Sequence, residues 1–247
     1  MVQAPQRTAF NGPTLIRLLA RLADVDVTES RQPLSDRLSQ WLHWTDAIAL
    51  STALNGNPPA VAPGAQALGS AEETECARVR STLVNAIVSG SAPAAAKRHG
   101  SAQTASHGAS LDAAVDYPAF RQMYLSMQQT METGIGNLRS RLRAKLAART
   151  PGMSRLAEVD AVMERALGPR ERSLLATVPA LLGAHFERLR KTERETLADA
   201  QASEDAPTIA PGAWLNVFRK DMQSVLLAEL DLRFQPVEGL LAALRTR

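Results

Sequence analysis

Residues 117–149 read YPAFRQMYLSMQQTMETGIGNLRSRLRAKLAAR, and this stretch decides the fold. Its large apolar side chains recur in steps of three and four, at Tyr117, Phe120, Tyr124, Met127, Met131, Ile135, Leu138, Leu142 and Leu146. That spacing places them on one face of a helix. Such a helix is about 50 Å long at 1.5 Å per residue. Because a compact domain of this chain length has a radius of gyration near 17 Å, the stretch predicts an elongated bundle.

The composition favours helix throughout the chain. Hydrophobic residues make up 45% of the 247 residues but aromatic residues only 4%, and Ala and Leu supply most of the apolar side chains. Ala, Leu, Arg and Glu favour helix, whereas the aromatic and β-branched residues that favour strands are scarce. We therefore predict an all-α protein, an elongated helical bundle with long coiled-coil-like helices and disordered linkers.

Charge, cysteine content and hydropathy limit the environment. The formal net charge of +3 is too weak to indicate a nucleic-acid partner by itself. The single cysteine, Cys76, cannot form an intramolecular disulfide, which fits a reducing compartment. No apolar run has the ~20 residues of a membrane-spanning helix, and the N-terminus has no apolar signal core. We predict a soluble, cytoplasmic protein with no transmembrane segment.

The first part of the chain predicts two helices. Asn11-Gly12-Pro13 is a helix-start signal, followed by an amphipathic segment with Arg17 and Arg21 on its polar face. A second helix starts after Pro33 and ends at Asn55-Gly56, before Pro58-Pro59. We predict that residues 1–56 form an antiparallel helical pair.

Two linkers separate the pair from the rest of the chain. Residues 57–69 are rich in Pro, Gly and Ala and predict a linker, and 70–88 predict a tethered helix that opens with a capping box, Ser70 to Glu73. Residues 89–110 contain no large apolar side chain and are predicted to be disordered. Residues 111–247 then form the elongated C-terminal bundle, in which we expect Gly168-Pro169 to separate two helices, Pro179 to kink one and Pro236 to interrupt the last.

No catalytic constellation stands out. His43 and Asp46 share a helical face but supply only two of the three or four ligands that a metal site needs. A histidine at a helix–helix contact or on the surface is the better interpretation. Carboxylates near Cys76 in the sequence would raise its thiol pKa, which indicates an inert thiol. His185 has no evident catalytic partner, and the phosphate-binding and hydrolase motifs are absent. We predict a protein that is not an enzyme and binds neither cofactor nor metal.

The strongest functional signal is a basic edge on the long helix. Five cations without an intervening acid flank the leucine stripe, namely Arg139, Arg141, Arg143, Lys145 and Arg149. Charges that flank an apolar stripe set partner and orientation in coiled coils, which predicts a helix edge facing solvent or a partner. A phosphate-binding edge is the alternative, although no aromatic residues interleave to stack bases.

Four stretches resemble an uncharacterised proteobacterial family known only as a domain of unknown function. They are PTLIRLLARLADVDV from Pro13, LSDRLSQWLHWTDAIAL from Leu34, MERALGPRERSLLATVPALL from Met163 and PGAWLNVFRKDMQSVLLAELDLRFQPVEGLLAALR from Pro211. With the long helix, the resemblance covers nearly the whole chain except the linkers. The resemblance implies no catalytic residues. It implies that members of the family are encoded beside membrane proteins that resemble proton-channel stator components and peptidoglycan binders.

We therefore expect a non-enzymatic cytoplasmic adaptor or scaffold that acts through helix-mediated protein–protein interaction. The expected binding residues are the basic edge (Arg139, Arg141, Arg143, Lys145 and Arg149) and the N-terminal helix with Arg17 and Arg21. The resemblance implies envelope membrane proteins of the stator type as partners, and long helices are also compatible with a homo-oligomer. A nucleic-acid-binding module that uses the basic edge is the less favoured alternative.

Overall fold

The computed structural model describes residues 13–26, 32–56, 70–91, 116–202 and 212–245, and the regular structure in these ranges is entirely α-helical. The fold is all-α, as predicted. The helices are α1 Thr14–Ala23, α2 Leu34–Trp41, α3 Trp44–Asn55, α4 Ser70–Ser91, α5 Tyr117–Ala147, α6 Pro151–Leu175, α7 Val178–Ala202 and α8 Ala213–Arg245. Residues 57–69 and 92–110 of the predicted linkers lie outside the described residues.

Helices α5 and α8 form the centre of the molecule. They have 31 and 33 residues, and each packs along the other. Helices α4, α6 and α7 pack around α5, while α4 and α7 also contact α8. The predicted stripe of α5 forms one side of this core, since Tyr124, Met131, Ile135, Leu138, Leu142 and Leu146 are all buried. The prediction of the long helix and its buried face is confirmed.

The prediction of one continuous helix after Pro33 is wrong. The segment is divided into α2 and α3 at Leu42, whose ψ of 125° is extended. Asp46 Oδ2 accepts a hydrogen bond of 3.1 Å from the His43 backbone N–H, so His43 caps a new helix. Side chains that bond nearby backbone groups start helices in this way, and the apolar spacing on both sides of the break concealed it.

The two N-terminal segments contact different helices and do not form the expected antiparallel pair. Helix α1 packs on α7 and α8, where Leu15 and Leu22 join the core. Helix α3 packs on α6 instead. The faces that the sequence pattern identified as apolar are therefore covered by the C-terminal helices, because those offer larger apolar surfaces than two short helices offer each other.

Three proline predictions are also corrected. Pro169 and Pro236 lie inside the continuous helices α6 and α8, and the break falls at Ala176–Thr177, which leaves Pro179 in the first turn of α7. An interior proline costs about 3 kcal/mol. The residues that flank Pro236 offset this cost, since Phe234, Val237 and Leu240 are all buried and each contributes about 1.5–3 kcal/mol.

Helix α4 contributes Cys76, Leu83 and Ile87 to the same core cluster. It extends to Ser91, three residues beyond its predicted end at Val88. Within the described ranges, none of the helices combines the length and apolarity that crossing a bilayer requires.

Candidate functional site

Two cations of the predicted basic edge are held by α6. Arg139 contacts Asp160 through two charge-assisted hydrogen bonds, Nε to Oδ2 at 2.8 Å and Nη2 to Oδ1 at 2.7 Å. Arg143 Nη1 contacts Asp160 Oδ2 at 3.0 Å and Glu164 Oε2 at 2.5 Å. The two arginine side chains are only 14% and 18% exposed. These guanidinium groups therefore join α5 to α6.

The other cations of the edge contact α4 and α8. Arg141 lies 2.9 Å from Glu75, and Lys145 lies 3.6 Å from Glu72, both on α4. Arg149 donates a hydrogen bond to the Leu244 carbonyl near the end of α8. All five cations thus have partners within the molecule, and their role in partner binding stays a prediction.

Arg17 and Arg21 differ in what they contact. Arg17 is exposed and donates to Thr14 Oγ1 within its own helix at 3.3 Å. Arg21 lies 3.5 Å from Asp221, whose second oxygen is 2.8 Å from His185 Nε2. Arg188 also donates to the Leu22 carbonyl at the end of α1. The three helices α1, α7 and α8 therefore meet in a polar cluster, and His185 has an acidic partner that the sequence did not reveal.

The remaining sequence candidates have structural roles. His43 and Asp46 cap α3, as described above. In the part of the chain that the structure describes, no three His, Cys, Asp or Glu side chains group closely enough to hold a metal ion. Burial, followed by the charges of Glu75 and Glu72, raises the pKa of the Cys76 thiol. The direction of this shift agrees with the prediction of an unreactive thiol.

A buried polar network lies in the core between α5 and α8. The Glu229 side chain is fully buried and accepts hydrogen bonds from Tyr124 Oη at 2.6 Å and Gln128 Nε2 at 2.9 Å. Arg233 Nε donates to Glu229 Oε1 at 2.9 Å, and Arg233 Nη1 donates to Glu171 on α6 at 3.3 Å. Sequence analysis missed this network. Its signal is that Glu229 follows Val225 and Leu226 on the buried face of α8.

A cavity of about 510 Å³ lies where α5, α6 and α8 diverge, with Trp41 of α2 at its edge. Its apolar wall includes Ile135, Met163, Leu167, Leu174, Leu232 and Pro236. Four arginines and three glutamates also line it, namely Arg139, Arg170, Arg172, Arg233, Glu132, Glu164 and Glu171. The guanidinium of Arg170 stacks on the Trp41 ring at 5.3 Å from the ring centroid.

Exposed apolar side chains concentrate on residues Leu34–Asn55, which we call the α2–α3 arm. Among the described residues ten large hydrophobic side chains are exposed, and four of them lie here: Leu34, Trp44, Ile48 and Leu54. Trp44 is 79% exposed and Ile48 is 50% exposed, one helical turn apart on α3. This arm is the largest concentration of uncovered apolar side chains in the described part of the molecule.

The comparisons identify a family without supplying an activity. The family model described as "Protein of unknown function (DUF3348)" matches residues 1–246. No curated protein and no solved structure matches the chain. The match spans every helix described above and confirms the resemblance inferred from the four sequence stretches. The chain belongs to the DUF3348 family.

Proposed function

We propose that this protein is a non-enzymatic adaptor or scaffold in the cytoplasm that binds a protein partner through the α2–α3 arm. The observation that carries the proposal is the exposure of Trp44, at 79%, beside Ile48 on the same helical face. Tryptophan is strongly enriched among residues that dominate binding energy at interfaces. Covering Trp44 would contribute about 1.5–3 kcal/mol, and covering the half-exposed Ile48 would contribute roughly half as much.

The way in which the arm is attached supports a role in binding. Helix α3 packs on α6, whereas α2 buries none of its side chains. The face of α3 that carries Trp44 and Ile48 is left open to a partner. An amphipathic helix is the partner that fits best, because it can lay a matching apolar stripe along α3.

The charge distribution favours a protein partner over nucleic acid. Phosphate binding needs cations that are free to release counterions. Arg139, Arg141, Arg143 and Lys145 all lie within ion-pair distance of carboxylates of the same chain. A nucleic acid would have to break these ion pairs. The resemblance implies that the partner is an envelope membrane protein of the proton-channel stator type.

A native pull-down with mass spectrometry tests the proposal. The variant Trp44→Glu/Ile48→Glu is compared with Val217→Glu, because Val217 is a 48% exposed residue on α8 outside the arm. We expect the wild type and Val217→Glu to retain the same envelope proteins and the arm variant to lose them. Circular dichroism must show that all three proteins fold equally well.

Two results would overturn the proposal. Recovery of ribosomes and nucleic acid alone, without envelope proteins, would contradict the adaptor function. A dimer in solution that becomes monomeric in Trp44→Glu/Ile48→Glu would show that a second copy of the chain covers the arm. Light scattering after size-exclusion chromatography measures this second outcome.

A further inference from the structure

We infer that the cavity between α5, α6 and α8 binds an anionic amphiphile, a small molecule with an apolar body and one acidic head group. The inference does not rest on the proposed adaptor function, although Trp41 at the edge of the cavity belongs to the arm. Its volume of about 510 Å³ lies within the ~300–1,000 Å³ typical of small-molecule sites.

The apolar wall of the cavity is incompletely covered. Leu174 lines it and is nevertheless 55% exposed, the most exposed leucine of α6. Leu167 and Met163 lie on the same helix, about two and three turns before Leu174, and are partly exposed. A bound apolar chain would remove these side chains from water, which is the principal driving force for binding at such sites.

The charges of the lining favour a negative head group. Three of the four arginines in the lining are paired with carboxylates, two of which lie outside it: Asp160 is 2.7 Å from Arg139, and Glu229 is 2.9 Å from Arg233. Each glutamate of the lining has an arginine partner: Glu132 with Arg172 at 3.2 Å, Glu164 with Arg139 at 3.5 Å, and Glu171 with Arg233 at 3.3 Å. The fourth arginine, Arg170, has no carboxylate within ion-pair distance among the described residues.

Arg170 is positioned to receive the head group. Its guanidinium is stacked on Trp41, which leaves the edge of the planar group with its N–H donors available. Arg233, in contrast, is engaged by Glu229 and Glu171, and its side chain is only 8% exposed. The geometry therefore assigns the acidic head to Arg170 at the Trp41 edge, and the apolar body to the wall formed by α5, α6 and α8.

Gly136 allows the cavity to be filled without disturbing the fold. It lies on α5 in the cavity lining, and a Cβ built there has no heavy atom within 4 Å. Gly136→Leu should occupy the space and also improve helix propensity. Gly239 on α8 is equally open but lies outside the lining, so Gly239→Leu is the matched control.

The test uses anilinonaphthalene sulfonate, a fluorescent probe with an apolar body and one sulfonate. We expect Gly136→Leu to weaken probe binding by at least about tenfold, because the leucine side chain replaces apolar contacts between the probe and the cavity wall. Gly239→Leu should bind like the wild type, and thermal unfolding should show both variants folded. Unchanged binding by Gly136→Leu would place the probe elsewhere and overturn the inference.

Competition identifies the head group. Dodecanoate and dodecyl phosphate should displace the probe. Dodecanol should bind about fivefold more weakly, because it lacks the one exposed, charge-assisted contact of an acidic head group. Arg170→Gln should remove this preference, while Arg165→Gln, an exposed α6 arginine outside the lining, should keep it. Equal displacement by dodecanol and dodecanoate in the wild type would overturn the assignment of an anionic ligand. The two acidic competitors distinguish a carboxylate ligand from a phosphate ligand.

Discussion

Tyr124 and Glu229 lie 105 positions apart in the chain and meet in the core, where Tyr124 Oη donates a hydrogen bond of 2.6 Å to Glu229 Oε2. Both residues are 0% exposed. Gln128 and Arg233 contact the same carboxylate, so α5 and α8 are joined by a polar network as well as by apolar packing. A network of this kind has only one register in which all its members are satisfied, and it therefore fixes how the two long helices align.

We predict that Tyr124→Phe destabilises the fold by about 1.5–3 kcal/mol, the range for a hydrogen bond to a charged group. Tyr117→Phe is the comparison, because the Tyr117 hydroxyl donates to the neutral Pro179 carbonyl. Its loss should cost only about 0.5–1.5 kcal/mol. Urea unfolding followed by circular dichroism measures both values. Equal losses in the two variants would show that the hydrogen bond to Glu229 contributes no more than the one to the Pro179 carbonyl.

Because both tyrosines have raised pKa values in the folded protein, we predict that the protein loses stability at alkaline pH. Burial, followed by the charge of Glu229 and the hydrogen bond to it, raises the pKa of Tyr124 well above its ordinary value near 10. Burial also raises the pKa of Tyr117. The folded state therefore holds protons that the unfolded state loses as the pH rises above about 10, and stability falls there by up to about 1.4 kcal/mol per pH unit for each tyrosine.

Unfolding measured against pH, together with the phenolate absorbance, checks this prediction. The chain has only two tyrosines. In Tyr117→Phe, where Tyr124 is the one remaining tyrosine, we expect no phenolate signal before the helical signal is lost, and Tyr124→Phe should show a weaker alkaline slope. Phenolate absorbance that rises with its ordinary midpoint in folded Tyr117→Phe would show that Tyr124 is accessible to solvent.

The sequence predicted what depends on local periodicity. The nine stripe positions of α5 all belong to the core or pack against it, because spacing alone determines which residues share a helical face. It did not predict which helix covers each face. The acids that pair with Arg139 and Arg141 come from two different helices, α6 and α4. That choice depends on how the helices pack.

The cavity and the buried network were beyond sequence reasoning for a related reason. A cavity forms where three helices diverge, so no single helix carries a signal for it. Glu229 occupies a core position of α8 that periodicity would assign to an apolar residue. It is tolerated because donors from α5 and from Arg233 satisfy its oxygens. Only the packed structure brings these donors together.

We predict that replacing the basic-edge arginine that contacts α6 costs more stability than replacing the one that contacts α4. Arg139→Gln should destabilise the protein by about 2–4 kcal/mol, because it leaves the 13% exposed Asp160 without its bidentate partner. Arg141→Gln should have a much smaller effect, since the Arg141 side chain is 58% exposed. A double-mutant cycle with Asp160→Asn measures the coupling directly. Similar effects of Arg139→Gln and Arg141→Gln would show that the contact with α6 is loose in solution.

The last prediction distinguishes a continuous α8 from one interrupted at Pro236. In a continuous helix Pro236 lacks the N–H that would bond the Leu232 carbonyl, so Pro236→Ala should stabilise the fold by about 1–3 kcal/mol. Pro179→Ala is the matched control. Pro179 lies in the first turn of α7, where an N–H has no partner within the helix, and its replacement should not stabilise. Urea unfolding compares the two variants with the wild type. If Pro236→Ala is as neutral as Pro179→Ala, a new helix starts at Pro236, as its sequence position alone suggested, and the two ends of α8 are separate helices.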